Sequence, residues 1–434
     1  MSWISQLFFL LVLAVAGYFL SKRIIRIRKN ILMGKDLNLS EDSAARWKTM
    51  LLVAFGQGKM FKKPIPAFLH LLIYVGFLVI NIEVLEFVID GLAGTHRIFA
   101  PFLGDLYTAA LNFFEFMSVA VLFSCVVFLI RRNILKVKRF VQPEMKGWPA
   151  MDANLILIIE IALMAAILKM NAADQILQSR GVEGYTLTGS FFFSSMLIPI
   201  LSQFDTSLLI LVERISWWFH IIGILGFAVY VTHSKHLHIF LAFPNTYFSN
   251  LNPKGKIRNM DEVTNEVKMM LGMTTADANN PPAEISRFGA KDATDLTWKS
   301  LMESYTCTEC GRCTSECPAN QTGKLLSPRK IMMDTRDRIE EIGNGQGEEK
   351  SLLGDYITKE EINACTSCNA CTEACPINID PLSIILEMRR YVSMEESGSP
   401  TSWNSMFSNI ETNFAPWKFA PTDRSNWKNE LNKQ

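Results

Sequence analysis

Eight of the nine cysteines fall in two runs of identical spacing: Cys307, Cys310, Cys313 and Cys317 before Pro318, and Cys365, Cys368, Cys371 and Cys375 before Pro376. Each run reads C-x2-C-x2-C-x3-C-P. The short x2 intervals let three thiolates grip one iron–sulfur cube from a single stretch of turning backbone, and the proline ends the turn. In two-cluster ferredoxins the fourth cysteine of each run ligates the other cluster. The expected sets are therefore Cys307, Cys310, Cys313 and Cys375 for one 4Fe-4S cluster, and Cys365, Cys368, Cys371 and Cys317 for the second. Zinc sites also pair C-x2-C units, but four ligands to a single ion give no reason to repeat the longer run. Cys125 lies alone in an apolar stretch and is read as a small buried hydrophobe.

Histidine is the second residue type that could do redox chemistry. His70 stands in FLHLLIYVGF and His220 in WWFHIIGILGF, with His233, His236 and His238 a little farther on. Imidazole inside a bilayer is costly unless it is paired, hydrated or bound, so intramembrane histidines are functional candidates. A b-type haem offers iron for two imidazoles and an apolar macrocycle that fills space between helices. His220 and His238 are 18 residues apart, five turns of the same helix, so both are expected to face one side about 27 Å apart, with His233 and His236 pointing well away from it. His70 and His238 are expected to meet across one haem near the inner surface. The competing second ligands are His236 and His233, and the plainer reading of that trio is a solvated interfacial patch. His220 lacks an evident histidine partner for a second haem. Glu83, Glu86 and Glu115 fall at its depth, where carboxylates could exchange the protons of quinone chemistry or simply meet interfacial water.

These residues need elements to position them. The total of 43 basic and 42 acidic residues hides a segregation into an apolar first part and a polar last part. Five segments, near 3–20, 65–88, 106–130, 152–170 and 208–235, suit membrane-spanning helices. Cations concentrate in 22–63 and 131–146, while 91–105 holds only Arg97 and 171–207 only Arg180 among arginines. The positive-inside rule then puts the N-terminus outside and the cysteines in the cytoplasm of a bacterium bounded by its inner membrane. In the first span the charges follow the apolar run, which suits an anchor and not a cleaved leader. Cations grouped at the ends of apolar runs argue against nucleic-acid binding.

The expected architecture is mainly α: residues 1–243 form a five-helix transmembrane bundle, 244–295 a linker, 296–392 a cytoplasmic helical ferredoxin domain and 393–434 a tail. The linker contains Asn-Asn-Pro-Pro at 279–282 and one helix near 260–272. Within the 48-residue separation of Cys317 and Cys365, MMDTRDRIEEI and SLLGDYI read as helical, and LSIILEMRRYV after Pro381 gives another amphipathic helix.

The five spans, the H-x5-G-F around His70, Gly76 and Phe77, and the WWFH…SKHLH pattern ending at His238 make the membrane half resemble the gamma subunit of nitrate reductase and the cytochrome b subunit of heterodisulfide reductase. That resemblance implies one or two b haems, exchange with menaquinone, and roles for His70, His220 and His238. Two-haem relatives carry a further histidine on the second span, where this chain has apolar residues around Ile80. CTECGRC…CPAN…GKLLSPRKI is similar to the helical dicluster ferredoxin of heterodisulfide reductase, over about residues 285–392. In many such proteins a cysteine-rich CCG repeat follows; the sequence shows none. The expected partner is a cytoplasmic CCG-repeat iron–sulfur subunit or a flavoprotein. NFAPWKF near the end is similar to an Asn-Pro-Trp junction segment, with Ala415 in place of the Asn, and suits partner docking or packing on its own domain.

No catalytic nucleophile or phosphate loop is evident. The expected role is electron transfer between menaquinone and a cytoplasmic subunit, through haem and two 4Fe-4S clusters. The alternative is an anchor that tethers a dicluster ferredoxin without haem or quinone chemistry.

Overall fold

The computed structural model describes residues 3–273, 287–418 and 420–431. Five long apolar helices come first: α1 (Trp3–Ile31), α2 (Pro64–Ala93), α3 (Asp105–Asn133), α4 (Trp148–Ser179) and α5 (Thr206–Val231). Each is long and apolar enough to cross a membrane. Neighbours pack in the order α2, α3, α4, α5, α1 and back to α2, a closed ring. Small residues permit the close approaches: a Cβ on Gly76 of α2 would stand 2.4 Å from the Val121 side chain of α3, and one on Gly223 of α5 2.6 Å from Leu163 of α4. Cys125 is fully buried beside Met117, Val121 and Leu163.

Two boundaries differ from the sequence expectation, each for a physical reason. Helix α1 does not stop near residue 20. Its 29 residues extend about 44 Å, beyond a hydrocarbon core of about 30 Å. The projecting turns, carrying the cations, support the C-terminal domain: Arg23 donates two hydrogen bonds to the Glu340 carboxylate at 2.9 and 2.8 Å, and Asn30 donates to the Tyr305 hydroxyl at 2.8 Å. Helix α5, in turn, ends at Val231. A turn and one 3-10 segment, Lys235–Leu237, lead into α6 (His238–Tyr247), so His220 and His238 lie on different helices and the unbroken five-turn relation between them does not exist.

The C-terminal domain is also helical, with α7 (Trp298–Thr306), α8 (Pro328–Gly343) and α9 (Pro381–Met394) as its longer elements. Their apolar faces enclose one core in which Leu301, Ile331, Ile339, Ile384, Ile385 and Met388 are fully buried. Ile27 of α1 and Leu237 join that core, so the two halves share apolar packing. Burial of such side chains is worth about 1.5–3 kcal/mol each. SLLGDYI is not a regular helix: Leu353 is extended and Gly354 has φ 110°, which turns the chain so that the Gly354 amide donates to the Ile357 carbonyl at 2.8 Å.

Of the linker expected over 244–295, α6 continues through Pro244 to Tyr247, and a helix covers Asp261–Met270. Residues 287–295 pack on the C-terminal domain, where Asp292 receives Arg338 at 2.9 and 2.7 Å. The Asn-Asn-Pro-Pro segment lies outside the described residues. In the tail, a helix over Thr401–Asn413 exposes Trp403, Phe407 and Ile410 in part. Phe419 and residues 432–434 lie outside the described residues.

Candidate functional site

The two cysteine runs adopt the same local backbone. The second residue after the first cysteine and the fourth after it are left-handed in both, Glu309 (φ 55°) and Gly311 (φ 70°), then Ser367 (φ 55°) and Asn369 (φ 60°). Glycine and asparagine tolerate that conformation best, which accounts for Gly311 and Asn369 at matching positions. After each loop a short helix begins, at Arg312 and at Ala370, and the two short helices pack on each other. That contact brings the end of each run to the start of the other.

Consequently the thiols gather in two groups that cross between runs. Cys317, Cys365, Cys368 and Cys371 line one small pocket together with Leu326, Pro328, Leu382 and Ile385. Around Cys313, the nearby thiols include Cys307, Cys310 and Cys375. Burial pushes Cys307, Cys371 and Cys375 up to about 12. Without metal they would hold their protons, and iron binding would displace them. Among the described residues no three His, Cys, Asp or Glu side chains form a group that could hold a single metal ion. The second group lines a pocket instead of converging on one point.

The first group faces the membrane half. Arg312, beside Cys313, donates to the Met60 carbonyl at 3.4 Å, and its charge lies near His70. Glu309 is buried between Lys235, from the turn before α6, and Arg336 of α8, which donates to it at 2.8 Å. Lys235 also donates from its backbone to Asp152 of α4 at 3.1 Å. Fully buried Arg329 reaches the Arg139 carbonyl at 2.6 Å and the Glu144 carboxylate at 2.7 Å. The first loop is thus held against one end of the helix bundle by buried charged groups. In the second loop Cys368 is exposed.

At that end, His70 of α2 and His238 at the start of α6 have ring centroids 6.4 Å apart with planes at 42°. Two imidazoles bound on opposite sides of one metal through bonds of about 2 Å would have centroids about 6 Å apart, so the pair fits a shared iron. His238 Nδ1 lies 3.2 Å from the Lys235 carbonyl, which holds the ring and leaves Nε2 for a ligand. His236 is closer than the helical count implied, 5.3 Å from His238, because the chain turns before α6. His233 stands apart, near Arg23 and Glu340.

His220 is fully buried, with Nδ1 3.0 Å from the Leu163 carbonyl and its ring 5.5 Å from Phe87. Its Nε2 has no hydrogen-bond partner among the described residues. The outer carboxylates divide. Glu86 accepts from the Tyr107 hydroxyl at 2.7 Å and from the Phe99 amide at 3.1 Å. Glu115 accepts from Asn171 at 3.0 Å and from the Phe193 and Ser194 amides at 3.0 and 3.1 Å. Glu83 is buried, and its Oε2 has no partner among the described residues.

Sequence reasoning missed the arginine that organises this region. Arg97 is not a loop charge in water: it is buried, paired with Asp174 at 2.6 Å, and donates to Asn171 at 2.9 Å and Tyr107 at 3.2 Å. The signal for it was a lone cation in an apolar outer segment, with acidic residues at nearby helix ends. Lys235 and Glu309, each beside a motif residue, were missed as well.

Residues 303–379 match the 4Fe-4S dicluster domain. A probable iron–sulfur-binding oxidoreductase of Bacillus subtilis is 28% identical over 98% of this chain and 61% of its own length. An EtfAB:quinone oxidoreductase of Syntrophomonas wolfei is 26% identical over 91% of this chain and 55% of its own. A subunit of a CoB–CoM heterodisulfide reductase from Methanosarcina acetivorans is 33% identical over 22% of this chain and 49% of its own length. The chain therefore spans less than two thirds of the first two relatives. No solved structure matches it. Together with the helices long enough to span a membrane, these similarities support an iron–sulfur protein with an electron-transfer role at a membrane.

Proposed function

We propose that the chain relays electrons between a membrane quinone and a cytoplasmic redox partner, with Cys307, Cys310, Cys313 and Cys375 holding the membrane-proximal 4Fe-4S cluster and Cys365, Cys368, Cys371 and Cys317 the distal one. The observation that carries this reading is the juxtaposition of the His70–His238 pair, 6.4 Å between rings, with the buried loop of the first thiol group. A b-type haem held by those two histidines would supply one-electron chemistry between a two-electron quinone and the clusters. Arg312 lies between the histidine pair and Cys313; exposed Cys368 suits the opposite end, where a partner would dock.

Menaquinone is the quinone that the membrane half's resemblance implies, and a relative named for quinone oxidoreduction supports that class. Of the three outer carboxylates, Glu83 is the candidate proton carrier, because Glu86 and Glu115 are engaged by structural donors. Inner-end cations on α1 and in 131–146 support an orientation with the N-terminus periplasmic and the clusters cytoplasmic in a bacterial inner membrane. A CCG-repeat iron–sulfur protein or a flavoprotein is the partner class.

The test is a reduced-minus-oxidised spectrum of membranes containing the chain, followed by addition of a menaquinone analogue. A haem b signal that the analogue re-oxidises is expected. No haem signal would leave the dicluster tethered by a plain anchor and defeat the relay.

A further inference from the structure

Two cations from the membrane half stand against the proximal thiol group, and neither belongs to a cysteine motif. Lys59, between the first two spans, donates to the Cys375 carbonyl at 3.2 Å, the Thr372 carbonyl at 3.4 Å and the Asn378 side chain at 2.8 Å. Its ammonium also faces the Cys375 thiol. Arg139, between the third and fourth spans, faces Cys310, and its Cβ lies 3.4 Å from the position a Cβ on Gly311 would take. Arg139 Nε is buried with no hydrogen-bond partner among the described residues. The Arg139 guanidinium lies over the Phe140 ring, 4.9 Å from its centroid, so it acts on the thiol group as a charge.

The surroundings of the distal group differ. Arg389, bound to the Cys365 carbonyl, and Asp380, near Cys371, both come from the C-terminal domain and carry opposite charges. Near the proximal group Glu309 is also acidic, but Lys235 and Arg336 pair with it. Lys59 and Arg139 therefore leave the proximal group with positive charge supplied across the domain junction.

We infer that Lys59 and Arg139 are redox-tuning residues, through which the membrane half raises the reduction potential of the proximal cluster and leaves the distal one unaffected. Reduction adds one electron to a cluster that is already anionic, so adjacent positive charge favours the reduced form. In physical terms, the proximal cluster reaches its working potential only when the dicluster domain is seated on the bundle. This inference rests on the two-cluster assignment above.

The experiment is a potentiometric titration of the full-length protein in detergent, followed by electron paramagnetic resonance, for wild type, Lys59→Met, Lys59→Arg, Arg139→Met and Arg139→Lys. In each Met variant one 4Fe-4S signal is expected to fall about tenfold in reduced fraction at its wild-type midpoint, while the other holds. Lys59→Arg should restore the wild-type midpoint. Arg139→Lys should restore it as well, since the charge returns. Unchanged midpoints in both Met variants, or equal displacement of both signals, would overturn the inference. If a Met variant fails to assemble its proximal cluster, Lys59→Gln and Arg139→Gln decide: a lowered proximal midpoint in either supports tuning, and wild-type midpoints in both reject it. Wild-type protein with only one 4Fe-4S signal would instead refute the two-cluster assignment.

Discussion

The two cysteine loops share a spacing and a backbone conformation, yet their surroundings are opposite. The first is buried against the membrane half through its own Glu309, which pairs with Lys235, and through Arg329, which reaches the Arg139 carbonyl. The second leaves Cys368 exposed and meets the membrane half only at its far end, where Lys59 holds the Thr372 and Cys375 carbonyls. In the proposed relay the same ligand chemistry would therefore occupy two positions, and the surroundings would decide which is proximal.

The strongest way to break this comparison is to remove one ligand from each loop. Cys310→Ser and Cys368→Ser should each lower iron from about eight atoms per chain to about four. Only Cys368→Ser should keep electron exchange between the quinone analogue and the remaining cluster. Equal loss of that exchange, followed by freeze-quench spectroscopy, would erase the distinction between proximal and distal. At the junction itself, His70→Ala should abolish the haem b spectrum of membranes, whereas His233→Ala, altering a residue outside the pair, should preserve it. An unchanged spectrum in His70→Ala would remove the His70–His238 pairing.

Charge at the junction gives the next effect. Glu309→Gln leaves Lys235 and Arg336 buried without their carboxylate, at a cost of about 3–5 kcal/mol. Thermal unfolding of the purified protein should show that loss, and a change below about 1 kcal/mol would mean the loop is held elsewhere. In the outer half, Glu83→Gln should slow quinone-driven haem reduction about tenfold, corresponding to about 1.4 kcal/mol in the barrier, with little loss of stability. Glu86→Gln, which disturbs a hydrogen-bonded acceptor, should instead lower the melting temperature; the reverse outcome would reassign the proton carrier. The smallest effect belongs to Lys62 and Glu373, whose side chains are 55% and 38% exposed: Lys62→Ala should change stability by less than about 1 kcal/mol.

Much of this was legible from residue order alone. Apolar runs of sufficient length declare membrane helices whatever they pack against, and the two motifs declare their ligand type because the backbone of each loop is local. The crossing of Cys317 and Cys375 between groups follows from the same local geometry once the two short helices pack together. Helix ends were less legible. Helix α1 runs past its apolar segment because Arg23 and Asn30 find partners more than 270 residues away, and α5 stops at Val231 because the chain must turn for Lys235 to meet Glu309 and Asp152.

By itself, then, the sequence determined five spanning helices, two cysteine-rich loops and the histidines at hand for them. Tertiary structure alone decided that His238 begins a new helix within 6.4 Å of His70, that Arg97 is a buried partner of Asp174, and that Lys59 and Arg139 face the proximal thiols. The physical reason is one of range. Hydropathy and ligand spacing act over a few residues, whereas the placing of buried charges depends on which distant segments fold against them.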